Sequence, residues 1–303
     1  MDEIARWRTA DRAELFSEAA SRKGVTSAII EKDFWVCWTL GKLFTSSLLH
    51  DKILLKGGTS LSKVFGLIER FSEDIDLILN WQLVTEYDPA AERSRNQQQR
   101  FNEDLNRAAQ NYIRETFLPE LERMLETICI PRINGTKPHN IEIIYPATAK
   151  EQYLRPEILL EIGPLAAWDP NAEYAITPFA AEYFNDQFSS PSCMVKAIKA
   201  ERTFWEKATI LHHEAHRPAE KPTPTRYPRH YYDMMRMADS KIKNQAIADL
   251  GLLKDVVRFK EKFYHCGWAR YDLARPGTMR LVPSSDAQRE LRRDYNDMRN
   301  MIY

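Results

Sequence analysis

The sequence predicts an α+β fold in which a small mixed β-sheet with flanking helices is followed by a helical C-terminal domain. Three observations lead to this prediction. A strand, a Gly-Gly turn, a helix and a second strand follow one another within residues 53–79. Two further apolar runs, 140–146 and 156–163, stand at hairpin-like separation. From about residue 192 onward the apolar spacing is helical, so we expect domains at 1–190 and 191–303.

The composition is that of a globular protein with an ample core. The chain has 303 residues, of which 44% are hydrophobic and 28% charged, which excludes a disordered chain. No apolar run reaches eighteen residues and the N-terminus does not resemble a signal peptide, so we expect a cytoplasmic protein with no membrane partner. The four cysteines form no CxxC pair, which argues against a zinc site or a disulfide framework.

The net charge of zero conceals an uneven distribution. Residues 221–303 carry 17 Lys and Arg against 10 Asp and Glu, whereas the rest of the chain carries 26 against 33. A basic C-terminal third is compatible with a polyanionic partner, and equally with docking of one half of the chain on the other.

Helical spacing predicts the elements around the sheet in order. A long helix follows Thr26 as its N-cap, and a second helix over 59–68 has Thr59 or Ser60 placed to cap it. Residues 92–128 form a polar amphipathic helical stretch with a break at Pro119. The C-terminal third contains helical patterns separated by a Pro-rich loop, at 194–216, 229–239, 244–264 and 284–303.

Asp74 and Asp76 stand at alternate positions of the otherwise apolar run "EDIDLIL". Residues two apart in a strand point to the same face, roughly 6.5–7 Å from each other. Two carboxylates on one face of a buried strand repel each other and lose solvation, so the arrangement favours a cation or a proton between them. A solvated edge strand is the alternative interpretation.

The segment before this strand predicts a phosphate site. A strand that runs through Gly57 and Gly58 into a helix exposes unpaired backbone N–H groups at the positive end of the helix dipole. Thr59 and Ser60 add hydroxyl groups to this cradle. Carboxylate oxygens suit Mg²⁺, with Mn²⁺ as the alternative, and paired metal ions clamp the oxygens in phosphoryl transfer.

This constellation resembles the nucleotidyltransferase fold of the DNA polymerase β superfamily. The segments "IEKDFWVCWTLGKLF", "LKGGTSLSKVFGLIERFSEDIDL", "ILLEIG", "EKATILHH" and "RHYYDMMRM" resemble, in order and style, the AbiEii/AbiGii toxin family of nucleotidyltransferases. The resemblance covers roughly residues 28–237, and the block 55–79 is its most specific part.

The resemblance implies a role for each matching position. Asp74 and Asp76 would be catalytic metal ligands and Glu161 a third carboxylate on the metal, while Lys207 and Asp233 would be catalytic residues of the later motifs. The NTP would be bound by the cradle and its neighbours, which are Gly57, Gly58, Thr59, Ser60, Ser72 and Lys207. The family commonly reads "RDLYDL" where this chain reads "RHYYDM", so His230 stands where the family has an acid.

Each of the later positions also has a structural interpretation. Glu161 would face solvent at a strand end, Lys207 would pair with Glu206 or Glu214, and Asp233 would cap its helix or pair with Arg229 or Arg236. Glu31 and Asp33 are expected to orient the N-terminal helix. His212 and His216 lie four apart on a helix, but the motif is not HExxH, and a structural or phosphate-contacting role is favoured over zinc.

The resemblance implies a Mg²⁺-dependent toxin that transfers NMP from an NTP to RNA, at the 3′ end of tRNA, with a cognate antitoxin as partner. Two alternatives stay open: a small-molecule or protein hydroxyl as acceptor, and an NTP-binding module without turnover. The expected RNA surface combines basic and aromatic residues of the C-terminal third: Arg226, Arg229, Lys241, Lys243, Arg258, Lys260, Lys262, Arg292, Arg293, Arg299, Tyr231, Tyr232, Tyr264, Trp268 and Tyr271.

Overall fold

The computed structural model describes residues 1–72, 74–149, 156–298 and 302. Within them, one mixed sheet of seven strands has the order β3-β4-β5-β2-β1-β7-β6. Its strands are β1 (Ile53–Lys56), β2 (Asp74–Leu79), β3 (Ile130–Ile133), β4 (Asn140–Ile144), β5 (Glu157–Gly163), β6 (Asn171–Ile176) and β7 (Cys193–Ile198). The pairs β2–β5 and β1–β7 are parallel, whereas the other neighbouring strands are antiparallel.

Helices flank the sheet and form most of the C-terminal third. They are α1 (Asp2–Ala5), α2 (Thr9–Lys23), α3 (Ser27–Thr45), α4 (Gly57–Thr59), α5 (Arg95–Tyr112), α6 (Leu118–Leu125), α7 (Phe179–Tyr183), α8 (Ala200–Ala215), α9 (Pro228–Ala238), α10 (Lys241–Ala248), α11 (Leu250–Phe263) and α12 (Ser285–Met298). Two helices continue as π-helical turns, α4 through Ser60–Val64 and α5 through Ile113–Phe117. Among the described helices, none combines the length and apolar composition that a membrane crossing requires.

The two faces of the sheet differ in what covers them. Ile75, Leu77 and Leu79 of β2 point into the main core, where they join fully buried aromatic residues of α3 such as Phe34 and Trp35. Each such side chain contributes roughly 1.5–3 kcal/mol by leaving water. The alternate residues of β2 lie on the opposite, more open face, because strand side chains alternate between faces. The predicted aspartates are therefore on the face that the main core does not cover.

The C-terminal helices pack over the glycine segment rather than standing apart from it. Helices α8 to α11 share a second apolar core, and Leu61 of the π-helical turn and Ile68 of the following loop are buried in it. The helix that follows the glycines thus contacts both the sheet and the C-terminal helices.

Three expectations about these elements are wrong. Residues 193–198 form β7, not a helix, and the sheet extends past residue 190; whether the two parts fold separately stays a prediction. The stretch 95–125 is not broken at Pro119, because the π-helical turn before it lets the proline enter at the start of α6, where no N–H bond is needed. The helix after the glycines ends at Val64, and its N-cap is Lys56 without a side-chain cap.

Candidate active site

The glycine turn and the two aspartates meet at the ends of β1 and β2. Gly57 has φ +76°, and a Cβ there would overlap the Asp76 carboxylate, so only glycine lets the turn and this carboxylate approach so closely. Thr59 Oγ1 donates a hydrogen bond to the Asp74 carbonyl oxygen, and Ser60 Oγ donates to the Gly57 carbonyl at 2.9 Å. Thr59 therefore fixes the turn to the aspartate strand, Ser60 closes a bond within the turn, and neither hydroxyl caps the helix.

Strand register places a row of polar residues across the open face of the sheet. Asp76 pairs with Lys56 of β1 on one side and with Glu161 of β5 on the other, and Glu161 pairs in turn with Asn140 of β4. Residues directly opposite each other on neighbouring strands share a face. Asn140 Nδ2 donates to Glu161 Oε1 at 3.0 Å, so this amide holds the Glu161 carboxylate.

Charges of both signs surround the Asp76 carboxyl. Burial raises its pKa above the ordinary 3.8, and the negative charge of Glu161 acts in the same direction. The positive charges of Lys56, Arg229 and Lys207 oppose this rise. A buried carboxylate surrounded by several cations is typical of a site that binds a charged ligand.

Helix α9 brings two opposite charges to the site from one face. Arg229 and Asp233 are four residues apart, hence neighbours on a helix. Arg229 Nη1 lies 3.8 Å from Asp74 Oδ2, and its side chain is 36% exposed, so it remains accessible to a ligand. Asp233 is fully buried beneath it.

Asp233 is the centre of a buried ionic network. Its carboxylate accepts from Arg70 Nε at 2.7 Å and from Arg70 Nη2 at 2.8 Å, and it also lies 2.7 Å from Lys207 Nζ. Burial acts to raise the pKa of Asp233, but the charge of Lys207 and the hydrogen bond from Arg70 outweigh it and bring the pKa to about 2. The structural interpretation of the sequence paired Asp233 with Arg229 or Arg236, and Lys207 with Glu206 or Glu214. Neither pairing is observed.

His230 lies on the other side of the Lys207 ammonium. The distance from Lys207 Nζ to His230 Nδ1 is 3.3 Å. Burial and the positive charge of Lys207 lower the pKa of His230 to about 2, so the imidazole is neutral and Nδ1 accepts from the ammonium. Lys207 is therefore held between a carboxylate and an imidazole.

Arg70 belongs to the site although the sequence motifs did not indicate it. Its Nη2 and the Ser72 hydroxyl are the nearest atoms to the position that a Cβ on Gly58 would take, at 3.0 Å and 2.6 Å. Ser72 thus lies beside the cradle as expected. Arg70 was missed because its strong partner, Asp233, is 163 residues away in sequence. Its position between a glycine turn and the aspartate strand was the only local signal.

Asp74 and Asp76 supply the carboxylate oxygens that a hard divalent cation prefers, and Gly57 lets the backbone of the cradle lie close to the Asp76 carboxylate. These two residues therefore fit a metal ion that draws its remaining ligands from a nucleotide and water. Within the described residues, no group of three or more acidic, histidine or cysteine side chains could hold a metal by itself. Glu161 neighbours Asp76 but is held by Asn140, and its role as a third ligand stays a prediction.

The helical histidines have structural partners. His212 Nε2 lies 2.9 Å from the Arg270 carbonyl oxygen, and its Nδ1 accepts from the Arg280 backbone N–H at 3.0 Å. Both ring nitrogens therefore fasten the loop 265–280 to α8. Similarly, Glu31 accepts from the backbone of Thr148 and Ala149, which fixes the N-terminal helix as expected.

The expected RNA surface is only partly available to a partner. Six of its basic residues are exposed, namely Arg226, Lys241, Lys243, Arg258, Arg292 and Arg293. By contrast, Lys262 Nζ donates to the carbonyl oxygens of Ala90 and Ala91 at 2.6 and 2.7 Å. Tyr232 and Tyr271 are buried, whereas Tyr264 is 47% exposed. Arg299 lies outside the described residues.

The chain is similar to a known toxin family and to a solved toxin structure. The family model described as "Nucleotidyl transferase AbiEii toxin, Type IV TA system" matches residues 38–303. Among solved structures, MenT4, a nucleotidyltransferase toxin from Mycobacterium tuberculosis H37Rv, is similar with 13% identity and a TM-score of 0.47, over 96% of this chain and 99% of that chain. A search of curated proteins finds no match.

The family match begins within α3 and includes the glycine turn, both aspartates and the whole network around Asp233. It therefore includes these residues of the candidate site as well as most of the chain. This chain belongs to the AbiEii family of nucleotidyltransferase toxins, which are the toxins of type IV toxin–antitoxin systems.

Proposed function

We propose that this protein uses Mg²⁺, or Mn²⁺ in its place, to transfer an NMP from an NTP to an RNA acceptor, the 3′ end of tRNA. One observation carries the proposal. The glycine turn and the carboxylates of Asp74 and Asp76 lie together on the open sheet face, next to the cations Arg229 and Lys207. Carboxylates can bind a metal ion and cations can bind phosphates, so the site suits a nucleotide together with its metal ion.

In this proposal the turn binds the triphosphate. The first N–H groups of the helix that starts at Gly57 have no partner within the helix and point toward its N-terminal end. Ser72 lies beside Gly58 and would add a hydroxyl group. Lys207 and Arg229 would neutralise phosphate charge that grows on the leaving group.

The transfer step breaks one bond and forms another. The acceptor hydroxyl oxygen attacks the α-phosphorus, and the bond from that phosphorus to the oxygen bridging to the β-phosphate breaks. Pyrophosphate leaves with the electron pair, and the hydroxyl proton passes to water or to a carboxylate at the site. Asp74 and Asp76 would hold the metal, which when bound stabilises the charge on the phosphate oxygens and favours loss of the hydroxyl proton.

Asp233 would act by positioning rather than by contact with substrate. Its side chain is completely buried, and it holds Lys207 and Arg70 with bonds of 2.7 and 2.8 Å. Arg70 lies against the cradle at Gly58, so Asp233 links the lysine of α8 to the phosphate turn. We expect Lys207 to lose its alignment when this carboxylate is removed.

The RNA acceptor is favoured by the exposed basic residues of α10, α11 and α12, which are available for phosphate contacts. Trp268 is half-buried beside the cations of Arg217 and Lys221 and adds an aromatic side chain near a basic surface. The cognate antitoxin is the second expected macromolecular partner.

The direct test is incubation of the protein with each labelled NTP, Mg²⁺ and total RNA, followed by gel separation. We expect one RNA size class, that of tRNA, to gain label, and label to be absent when the tRNA 3′ hydroxyl has been removed. Label on a small molecule or on protein instead would replace the RNA acceptor in this proposal.

Asp74→Asn and Asp76→Asn test the site itself. Both should abolish transfer, because each removes a charged metal ligand, while thermal stability stays equal or rises as like-charge repulsion is relieved. Glu173→Gln, at an exposed position of β6, serves as a control for an altered carboxylate on the same sheet. Near-normal turnover by either aspartate variant would rule out the metal assignment.

A further inference from the structure

Helix α12 carries a carboxylate on the face by which it packs. The helix lies against α9, and its last residue is buried in the second apolar core. Its half-buried and buried side chains recur at helical spacing and are Ala287, Gln288, Leu291, Asp294 and Met298. A charged side chain within such a packed stripe loses solvation, so it needs a hydrogen-bond partner on the neighbouring element.

The partner of Asp294 is the backbone just before α9. Asp294 Oδ2 accepts from the Arg226 N–H at 2.5 Å, two residues before Pro228, the first residue of α9. Arg226 has φ +64°, a left-handed conformation that a residue other than glycine adopts only where its surroundings hold it. Tyr227, the N-cap of α9, makes no side-chain cap bond. The bond from Asp294 therefore stabilises the conformation from which α9 starts.

The first turn of α9 carries an accessible cation of the candidate site. Arg229 follows Arg226 by three residues, and its Nη1 lies 3.8 Å from Asp74 Oδ2. Because a helix is a stiff element, the direction in which α9 leaves Arg226 determines where its first side chains lie. Asp294 does not reach the carboxylates of β2 itself, but through Arg226 it fixes the position of Arg229.

Ile302, four residues beyond α12, approaches the site from a second direction. Its backbone pairs with that of Arg70 in an isolated antiparallel bridge, and its side chain packs against the second apolar core. The loop that contains Arg70 is also attached to α9, since Tyr232 Oη accepts from the Glu69 N–H at 3.3 Å. Ile302 thus lies against the backbone of the arginine whose side chain stands beside the glycine turn.

We propose that Asp294 and Ile302 form a clamp that positions the two arginines of the active site, Arg229 through the start of α9 and Arg70 through its backbone. Neither clamp residue contacts the substrate, so both are positioning residues. The inference rests on the proposed function, in which Arg229 neutralises phosphate charge and Arg70 stands beside the phosphate turn. It deepens that function by naming what fixes these arginines. In the alternative, the clamp adds stability and has no effect on transfer.

The first experiment measures NMP transfer per folded molecule. Asp294→Ala removes the acceptor of the Arg226 N–H, and α12 should persist because alanine is a better helix former than aspartate. Asp294→Asn keeps an acceptor oxygen, and Asp297→Ala is the matched control, since Asp297 is exposed on the same helix. We expect transfer to fall about tenfold for Asp294→Ala and to stay within about threefold of wild type for the other two. Thermal melting gives the folded fraction.

Hydrogen exchange provides a second measurement, which does not depend on transfer. Asp294→Ala should exchange faster than Asp297→Ala in the peptide that spans residues 225–233, because the start of α9 is released. Deletion of residues 299–303 should have the same effect on residues 67–72 and should lower transfer by a similar factor. Ile302→Val keeps a β-branched side chain and should match the wild type.

Transfer by folded Asp294→Ala equal to that of Asp297→Ala would overturn the positioning role of Asp294, and wild-type transfer by the shortened chain would overturn that of Ile302. Lower thermal stability with unchanged transfer would leave the clamp a structural contact only. Wild-type protein that transfers no NMP would refute the proposed function. Faster exchange at residues 225–233 in Asp294→Ala alone would then still show that Asp294 fixes the start of α9.

Discussion

Two buried lysine–aspartate pairs flank the glycine turn, and they differ in what else they contact. Lys63 pairs with Asp33 of α3, and Lys207 pairs with Asp233 of α9, each at 2.7 Å. The first pair is enclosed: the second oxygen of Asp33 accepts from the Phe179 backbone N–H at 2.6 Å, and the Lys63 ammonium lies 3.8 Å from the centre of the Phe179 ring.

The second pair is connected to the site. Asp233 also binds Arg70, Lys207 also contacts His230, and the charge of Lys207 acts on Asp76. Two lysine–aspartate pairs with equal distances and similar burial can therefore have different roles. A closed pair fixes α3 against the turn, whereas a pair that shares its charges with a cleft can serve substrate binding.

The turn between the two pairs gives the largest expected effect. Gly57→Ala introduces a Cβ that overlaps the Asp76 carboxylate at a φ of +76°. We expect transfer to fall by about 10²-fold or more, since small misplacements of catalytic groups have this cost. Gly66→Ala is the control, because Gly66 also has positive φ, +59°, but open space around it. Equal rates of NMP transfer by Gly57→Ala and Gly66→Ala would show that the close contact between the glycine turn and Asp76 is not needed for transfer.

The two aspartates separate folding from transfer. Asp33→Ala and Asp233→Ala should each lower the free energy of unfolding by about 3–5 kcal/mol, because a buried cation loses its partner. Transfer per folded molecule should fall on the order of 10²-fold for Asp233→Ala and stay within a few-fold for Asp33→Ala. Urea unfolding and turnover corrected for the folded fraction measure both quantities. The reverse pattern would exchange the roles of the two pairs.

The same difference is expected between the two lysines, with a smaller effect on activity. Lys207→Ala should reduce use of the NTP by tens to hundreds of fold, as expected for losing a preorganised charge at the triphosphate. Lys63→Met should leave the KM for the NTP unchanged, because Lys63 is enclosed with Asp33 and Phe179. Steady-state kinetics at varied NTP concentration decides between them. An equal rise in KM for both variants would mean that the enclosed pair also serves the nucleotide.

The smallest effect concerns pH. Burial and Lys207 lower the pKa of His230 to about 2, so below its ordinary 6.5 the unfolded chain binds a proton that the folded chain does not. Stability should therefore decrease as the pH falls below 6.5. The pair around Asp233, with a pKa of about 2, should contribute fully above pH 3.8 and be lost only below it.

His230→Asn should remove part of this acid sensitivity. Between pH 7 and pH 5 the wild-type protein should lose on the order of 1 kcal/mol more unfolding free energy than the variant. The measurement is the urea midpoint at the two pH values. Identical losses for both proteins would show that His230 is equally protonated in the folded and unfolded chains.

Local pattern was sufficient for the centre of the sheet. Both β1 and β2 were predicted because short buried runs end at glycines or turn residues, and the alternation at Asp74 and Asp76 already indicated which face each side chain takes. The strand β7 was missed because its alternation is brief and α8 follows after a single residue, so the whole stretch has apolar residues at helical intervals too.

Contacts between distant residues were beyond local pattern. Arg70 and Asp233 are 163 positions apart, so nothing in the sequence around either residue specifies their bidentate pair. The π-helical turn at Ser60–Val64 likewise depends on packing, because Leu61 is buried among the C-terminal helices. The motif identified the residues of the site, whereas the partners that hold them became visible only in three dimensions.

The position of β7 bears on how the protein is made. This strand lies between β1 and β6, so β1, which carries the glycine turn, has no neighbour on that side until residues 193–198 have been synthesised. The partner of Arg70 is translated later still, at residue 233. A ribosome that has completed two thirds of the chain has therefore produced every carboxylate proposed to bind metal, but neither Lys207 nor Asp233. Under the proposed function, such a nascent chain holds the metal ligands but cannot yet transfer a nucleotide.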